Sequence, residues 1–344
     1  MFDRLYIELE NDAMRYIYGS ISRKKMKIRK WGIKSLTEGC FANGRVMDEV
    51  EFIKSLSSLR KELKIFRCTV HLTVNDGSFI TRPIELPILK EKDIEKHLSL
   101  EAEQYLPINK KNFQVGFRVM ERRKESDEAG SSVMVSAGPK ENIENILKCF
   151  DRCRLNTKVM DVYPNNICRL LKNLDEEDFA VIDMGRRSIN ITIIESKKFY
   201  MHTNIPVNME SLFEDYIKDN SIEMNDFRRE YFYASFDALQ INKDDIPIND
   251  SMRDTLSGVV GQVSRYLDYF NSRHFGKTVD NVYVIGENGM LKGLRKSMGD
   301  SFNTNVTIGM KPFPLLDSIR GNSFLKAQMG YHSLLGMILR GKSL

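Results

Sequence analysis

Hydrophobic and polar positions alternate through the opening third of the chain. Leu5–Leu9, Met14–Tyr18 and Met26–Gly32 each keep the two-residue period of a half-buried strand, with Asn11-Asp12 and Ser20–Lys25 as connections. The period then lengthens: Val50, Ile53, Leu56, Leu59 and Leu63 predict a helix over residues 48–63. The β-branched run Cys68–Val74 returns as a strand and stops at Asn75-Asp76-Gly77, a strong turn signal. A second helix is expected from Glu91 to Tyr105, closed by Leu106-Pro107, because proline disfavours helix at the residue before it. Alternation at Phe113–Arg122 and Ser132–Ala137 predicts two strands around a tip at Glu125–Gly130. A helix over Lys140–Cys153 follows, with Lys158–Val162 leading out of it.

After the acidic stretch Asp175-Glu176-Glu177-Asp178 the strand meander repeats at Phe179–Ile182, Ile189–Ile194 and Lys198–Ile205. Leu256, Val259, Val260, Val263, Tyr266, Leu267 and Phe270 trace one face of a helix over Met252–Phe270. A buried strand, Asn281–Ile285, leads through the turn Gly286-Glu287-Asn288-Gly289 into a helix at Leu291–Met298. A short strand at Asn305–Ile308 and a final helix at Ala327–Leu339 complete the order. Leu5–Ser20 and Ala180–Ser196, about 175 residues apart, read as the same hairpin: apolar strand, acidic residue, polar turn, alternating strand. Such a duplication predicts two similar α/β halves facing a cleft.

Composition narrows the class. With 344 residues, 42% hydrophobic and 29% charged, the chain has length for two domains with real cores. The net charge of +5 is small and dispersed. Arg122-Arg123-Lys124 lies beside Glu121, Glu125, Asp127 and Glu128, and Arg23-Lys24-Lys25 sits in a connection, so both read as solvated loop faces and no nucleic-acid partner is expected. Met1-Phe2-Asp3-Arg4 leads straight into a strand, no signal peptide is expected, and no run of about 18 apolar residues is present to span a bilayer. Cys40, Cys68, Cys149, Cys153 and Cys168 are scattered and odd in number, which fits a reducing cytoplasm. Cys149 and Cys153 read as buried thiols rather than zinc ligands, so no metal site is expected.

Four segments, in the family's expected order along the chain, resemble the type IV pilus assembly protein PilM family, a branch of the actin-like ATPase superfamily close to the cell-division protein FtsA. They are Phe179–Ile194, as a second phosphate loop; Asn281–Leu294 (NVYVIGENGMLKGL), as an adenosine loop; RPIELPILKEKDIEKHLSLEAEQYLPI, as a proline-bounded strand and helix; and Gly330–Met337, as a closing helix. The resemblance implies an α/β, actin-like and ribonuclease-H-like duplicated two-lobe fold with an inserted small α/β subdomain. Residues 1–80 with 162–177 would form the first lobe, 81–161 the insert, 178–326 the second lobe, and 327–344 a helix returning to the first. It also implies a cytoplasmic adaptor at the inner-membrane platform of a type IV pilus or a type II secretion-like system. That adaptor would bind the cytoplasmic segment of a PilN-like membrane protein in a groove formed with the insert. Pilus motor or platform proteins and a homo-oligomer are further expected partners. Leu86, Ile94, Leu98 and Leu100 are the candidate groove residues, read against the alternative that such residues form the insert's own core. An active ATPase driving assembly and an FtsA-like filament former are the alternatives.

The superfamily's phosphate loops work by geometry: a glycine lets backbone N–H groups approach phosphate, and an acidic residue at the strand end holds magnesium through water. In the second hairpin Asp183 and Gly185 fit those roles, with Arg186, Arg187 and Ser188 near, and Gly286 and Gly289 would meet the nucleoside. The first hairpin departs: Glu8 replaces the aspartate, Glu10 the glycine, and Asn11-Asp12 the hydroxyl residues. At an effective dielectric near 20, two like charges about 4 Å apart repel by roughly 4 kcal/mol. That corresponds to nearly a thousandfold in affinity. Glu287 narrows the space for a purine unless its side chain turns to solvent. The expectation is a vestigial nucleotide cleft with no catalytic residues and no cofactor, ATP with magnesium being the candidate if anything binds. The apolar last helix is expected to pack on the first lobe rather than on a membrane.

Overall fold

The computed structural model describes residues 3–11, 13–21, 26–123, 129–172, 174, 176–209, 250–273, 279–290, 294–309 and 328–340, with isolated positions between 211 and 223. The expected tip at Glu125–Gly130, the run Arg23-Lys24-Lys25, and the starts of helices at Leu291 and Ala327 lie wholly or partly outside these residues. The chain divides into two compact units, Met1–Leu171 with Ser333–Leu344, and Lys172–His332.

The first unit opens with β1 (Asp3–Glu10), β2 (Ala13–Ile21) and β3 (Met26–Ser35), an antiparallel meander. A two-stranded ribbon, β4 (Phe41–Ala42) and β5 (Arg45–Val46), precedes helix α1 (Glu49–Glu62). Asp48 starts that helix: its Oδ1 accepts from the backbone N–H of Val50 and Glu51 at 2.9 and 3.0 Å. β6 (Cys68–Val74) then lies parallel to β1, and β10 (Leu155–Val162) lies parallel to β6. The sheet order is β10-β6-β1-β2-β3.

Between β6 and β10 come β7 (Ile80–Leu86), α2 (Glu91–Tyr105), β8 (Phe113–Arg123), β9 (Gly130–Pro139) and α3 (Lys140–Arg152). β7, β9 and β8 form a separate antiparallel sheet in that order, with α2 over one face. The insert is smaller than residues 81–161. Ile146, Cys149 and Phe150 of α3 join the core of the first sheet, Phe150 packs on Phe52, and β10 is hydrogen-bonded to β6. The five cysteines are free and buried. Helix α4 (Tyr163–Leu171), not anticipated, follows β10 and is buried on every side.

The second unit repeats the plan. β11 (Phe179–Met184), β12 (Ser188–Glu195) and β13 (Lys198–Pro206) form the meander, and β14 (Asn281–Ile285) and β15 (Asn305–Ile308) add parallel strands, in the order β13-β12-β11-β14-β15. Helix α5 (Asp250–Arg273) buries Leu256, Val259, Val260, Val263, Leu267 and Phe270 against this sheet. α6 (Leu294–Phe302) precedes β15, and α7 (His332–Ile338) closes the chain after a turn of 3-10 helix, Gln328–Gly330. Within the described residues this helix begins at His332, whose imidazole bonds the Met329 carbonyl at 2.8 Å. It packs within the first unit so closely that a Cβ on Gly336 would stand 2.0 Å from the Asn166 carbonyl oxygen. Among the described residues no helix is long and apolar enough to cross a membrane.

Candidate functional site

The two hairpins that carry the duplicated motif differ in length as well as in charge. In the first, pairing runs to Glu10↔Ala13, leaving a two-residue turn, and places Glu8 opposite Arg15. The Arg15 guanidinium donates to Glu10 Oε1 at 3.0 Å, and Glu8 and Arg15 are both buried. In the second, pairing stops at Met184↔Ile189, so four residues, Gly185 to Ser188, form the loop, and Asp183 faces Asn190. The longer loop is nonetheless braced. Gly185 donates its N–H to the Ser188 carbonyl at 3.0 Å, and its own carbonyl accepts from Asn288 Nδ2 at 2.8 Å. Arg186 is buried, and its carbonyl accepts from the Met209 N–H at 2.9 Å.

The adenosine-type turn sits directly on this loop. Gly286 has φ of +89°, and a Cβ there would stand 2.4 Å from Asp183 Oδ1 and 2.6 Å from the Met184 carbonyl oxygen, so only glycine fits. Glu287, which would be harmless to a purine if solvated, is buried. Gly289 stacks on Val284, its Cβ position 3.1 Å from that side chain. Asp183, Gly185, Arg186, Ser188, Gly286 and Gly289 are therefore gathered in one loop pair of the second unit. The first turn is thus two residues long beside Glu10, and in the second the Gly185 N–H is already bonded within its own turn. Among the described residues, no group of three or more His, Cys, Asp or Glu side chains is placed to hold a metal.

A second candidate site lies wholly within the first unit. A pocket of about 650 Å³ opens over the face of the insert sheet that is turned away from α2. Gln114, Gly116 and Arg118 of β8 and Ser136 and Gly138 of β9 share that face by strand period. Opposite stand Met160, Asp161 and Val162 of β10, Asn165 and Arg169 of α4, and Arg340; Phe79 and Ile143 add apolar surface. β8 and β10 are each the edge strand of their sheet. A Cβ on Gly116 would meet nothing within 4 Å, so this glycine keeps the pocket open rather than relieving a clash.

Asp161 organises one wall. Its Oδ1 accepts from the Val162 N–H and Asn165 Nδ2, both at 2.9 Å, and its Oδ2 from Arg169 at 2.5 Å and Arg340 at 2.6 Å. Burial pushes this carboxyl up, but the Arg169 charge and hydrogen bond, the Val162 N–H and Arg340 outweigh it and hold the group below the usual carboxylate range. Arg169 continues to Asn166 Oδ1 at 2.5 Å, and Asn166 Nδ2 reaches the Thr73 hydroxyl at 2.8 Å. Thr73 sits beside Glu8 in the β1–β6 ladder. Arg118 donates to the Asn165 carbonyl at 2.9 Å. Burial, with the neighbouring Arg169 charge, pulls its guanidinium down to about 10.

The residues proposed from sequence to line a groove are placed otherwise. Leu86, Ile94 and Leu98 are buried in the core between α2 and the insert sheet, because they form the apolar face of the helix and the strand it covers. Leu100 is exposed, at 66%, and does not line the pocket. The residues that do line it (Gly116, Arg118, Asp161, Arg169 and Arg340) carried no local signal, since they come from distant segments.

A profile described as "Type IV pilus assembly protein PilM" matches residues 7–207. Among solved structures, the chain is similar to one titled "PilM-PilN type IV pilus biogenesis complex", with a TM-score of 0.75 and 19% identity over 99% of each chain. It is also similar to the ethanolamine utilization protein EutJ from Carboxydothermus hydrogenoformans, with a TM-score of 0.53 and 13% identity, covering 99% of this chain and 90% of that one. Both likenesses are of fold, the actin-like two-lobe α/β architecture.

Proposed function

Because the chain belongs to the type IV pilus assembly protein PilM family, we propose that it is a non-catalytic adaptor of a pilus-assembly platform, taking the cytoplasmic segment of a PilN-like membrane protein into the groove over Gly116. The observation that carries this reading is the pocket itself. It has the volume of a binding site, two sheet edges bound it, and an in-strand glycine leaves its floor bare. An extended peptide could pair with a strand edge there and bury apolar side chains against Phe79, Ile143 and Met160. The similar structure is a complex of PilM with PilN, which supports the choice of partner. The protein would reach the cytoplasmic face of the membrane through that partner. Its nucleotide loops would be architecture, a reading supported by the short first turn with its Glu10–Arg15 pair and by buried Glu287.

Substituting Gly116→Phe tests this, because the new ring enters the pocket and meets no neighbour at its Cβ. Fluorescence anisotropy with the labelled cytoplasmic segment of the PilN-like protein should show at least tenfold weaker binding, with an unchanged circular dichroism spectrum and melting temperature. Undiminished binding would remove the groove from the proposal.

A further inference from the structure

The groove's polar wall carries more positive charge than it neutralises. Arg118, Arg169 and Arg340 face one buried carboxylate, Asp161, while Glu91 at the rim is exposed. Asp161 is saturated: two donors reach each of its oxygens, and Arg169 and Arg340 share Oδ2. Arg169 spends a further donor on Asn166, leaving it tied on both sides. Arg118 is different. It projects from the middle of β8 into the pocket and makes a single hydrogen bond, to a backbone carbonyl that brings no charge. A guanidinium has five N–H donors in a planar fork that matches a carboxylate. Arg118 stands two residues from Gly116, hence on the same side of the strand, at the end of the bare floor.

Resting on the adaptor reading above, we propose that Arg118, with the exposed side of Arg340, receives an aspartate or glutamate side chain of the partner peptide. The peptide recognised is then an extended segment in which an acidic residue sits among apolar ones, the apolar neighbours lying on Phe79, Ile143, Met160 and Val162. A carboxylate placed there would also relieve the repulsion between Arg118 and Arg169, whose charges lie close enough to lower the basicity of Arg118. A charge pair closed in such a pocket is desolvated, so it contributes selectivity as well as affinity.

The test is a cycle between protein and peptide. The probes are the cytoplasmic segment of the PilN-like protein and versions in which each Asp or Glu is replaced by Asn or Gln. The proteins are the native chain, Arg118→Gln, Arg118→Lys and Gly116→Phe. One acidic-to-amide replacement should weaken binding to the native chain at least tenfold, Arg118→Gln should do the same for the native peptide, and the two changes together should cost little more than either alone. Arg118→Lys should recover part of the loss. The proposal is overturned if every amide-substituted peptide binds the native chain as tightly as the acidic one, or if Arg118→Gln weakens all peptides equally. In those cases a loss of binding in Gly116→Phe would leave the groove itself standing. Binding that survives Gly116→Phe would instead remove the groove, and the carboxylate site with it.

Discussion

The β1–β2 and β11–β12 hairpins descend from one pattern and have closed in different ways. The first extends its ladder to Glu10↔Ala13, so its turn is short, and the Glu10 carboxylate is engaged with Arg15. The second keeps a four-residue loop with Asp183 and Gly185, but the loop's own hydrogen bonds, Asn288 and the backbone of Gly286 fill the space around it. On the adaptor reading proposed above, the difference separates two routes by which a phosphate loop would be given up. One changes register length and charge within the strand pair; the other keeps the loop and packs a neighbouring turn onto it.

Substitutions sort the two routes by size. Gly286→Ala should be the most damaging, costing about 4 kcal/mol, because a side chain at positive φ adds backbone strain to a clash with the Asp183 carboxylate and the Met184 backbone. Chemical denaturation should show the second unit melting first. Arg15→Ala should cost about 3 kcal/mol, since it leaves the Glu10 carboxylate without its guanidinium, two residues from buried Glu8. Its counterpart in the second hairpin, Asn190→Ala, removes a neutral side chain whose Oδ1 accepts from Asn204 at 2.9 Å, and should cost only about 1 kcal/mol. Equal losses in the two hairpins would erase the contrast.

Acid should also treat the units unequally. Burial lowers His202 to about 3 and His332 to about 4 in the second unit; burial, with Arg4 and Arg340, lowers His71 to about 4 in the first. A folded-state value below the unfolded one means that the unfolded chain takes up protons first. Stability is therefore full above about pH 6.5 and falls as pH drops toward about 4. Asp161 adds a loss in the first unit only at lower pH, as the solution passes below the ordinary carboxylate range. Hydrogen exchange near pH 5 against pH 7 should show the greater loss of protection in the second unit. The smallest effect is a null one. Glu8→Asp with Glu10→Gly should leave ATP affinity unchanged, because the turn would still be two residues shorter than its counterpart.

Much of this was legible in the chain. The alternation of Leu5–Leu9 and Phe179–Ile182, the turn at Asn75-Asp76-Gly77 and the Leu106-Pro107 stop all act locally, and local signals survive in sequence. The shortening of the first turn was half legible: Glu8 and Glu10 stood out by charge, while the register that buries them depends on the partner strand. Helix α4 was missed because burial on all sides leaves no polar face to give a period, although Pro164 next to its first residue is a common start signal. Leu86, Ile94 and Leu98 suit a groove or a core equally well in sequence, because an apolar stripe does not say which surface covers it; here α2 and the insert sheet cover each other. The pairing of Asp161 with Arg340 joins residues 179 apart in the chain and exists only once α7 has packed back onto α4.

The adaptor reading proposed above holds that the nucleotide loops are closed by the protein's own groups. Isothermal titration calorimetry of the native chain with ATP and magnesium at millimolar concentration tests it most directly. The account predicts no saturable heat in that range; a saturating isotherm with a micromolar dissociation constant would contradict it.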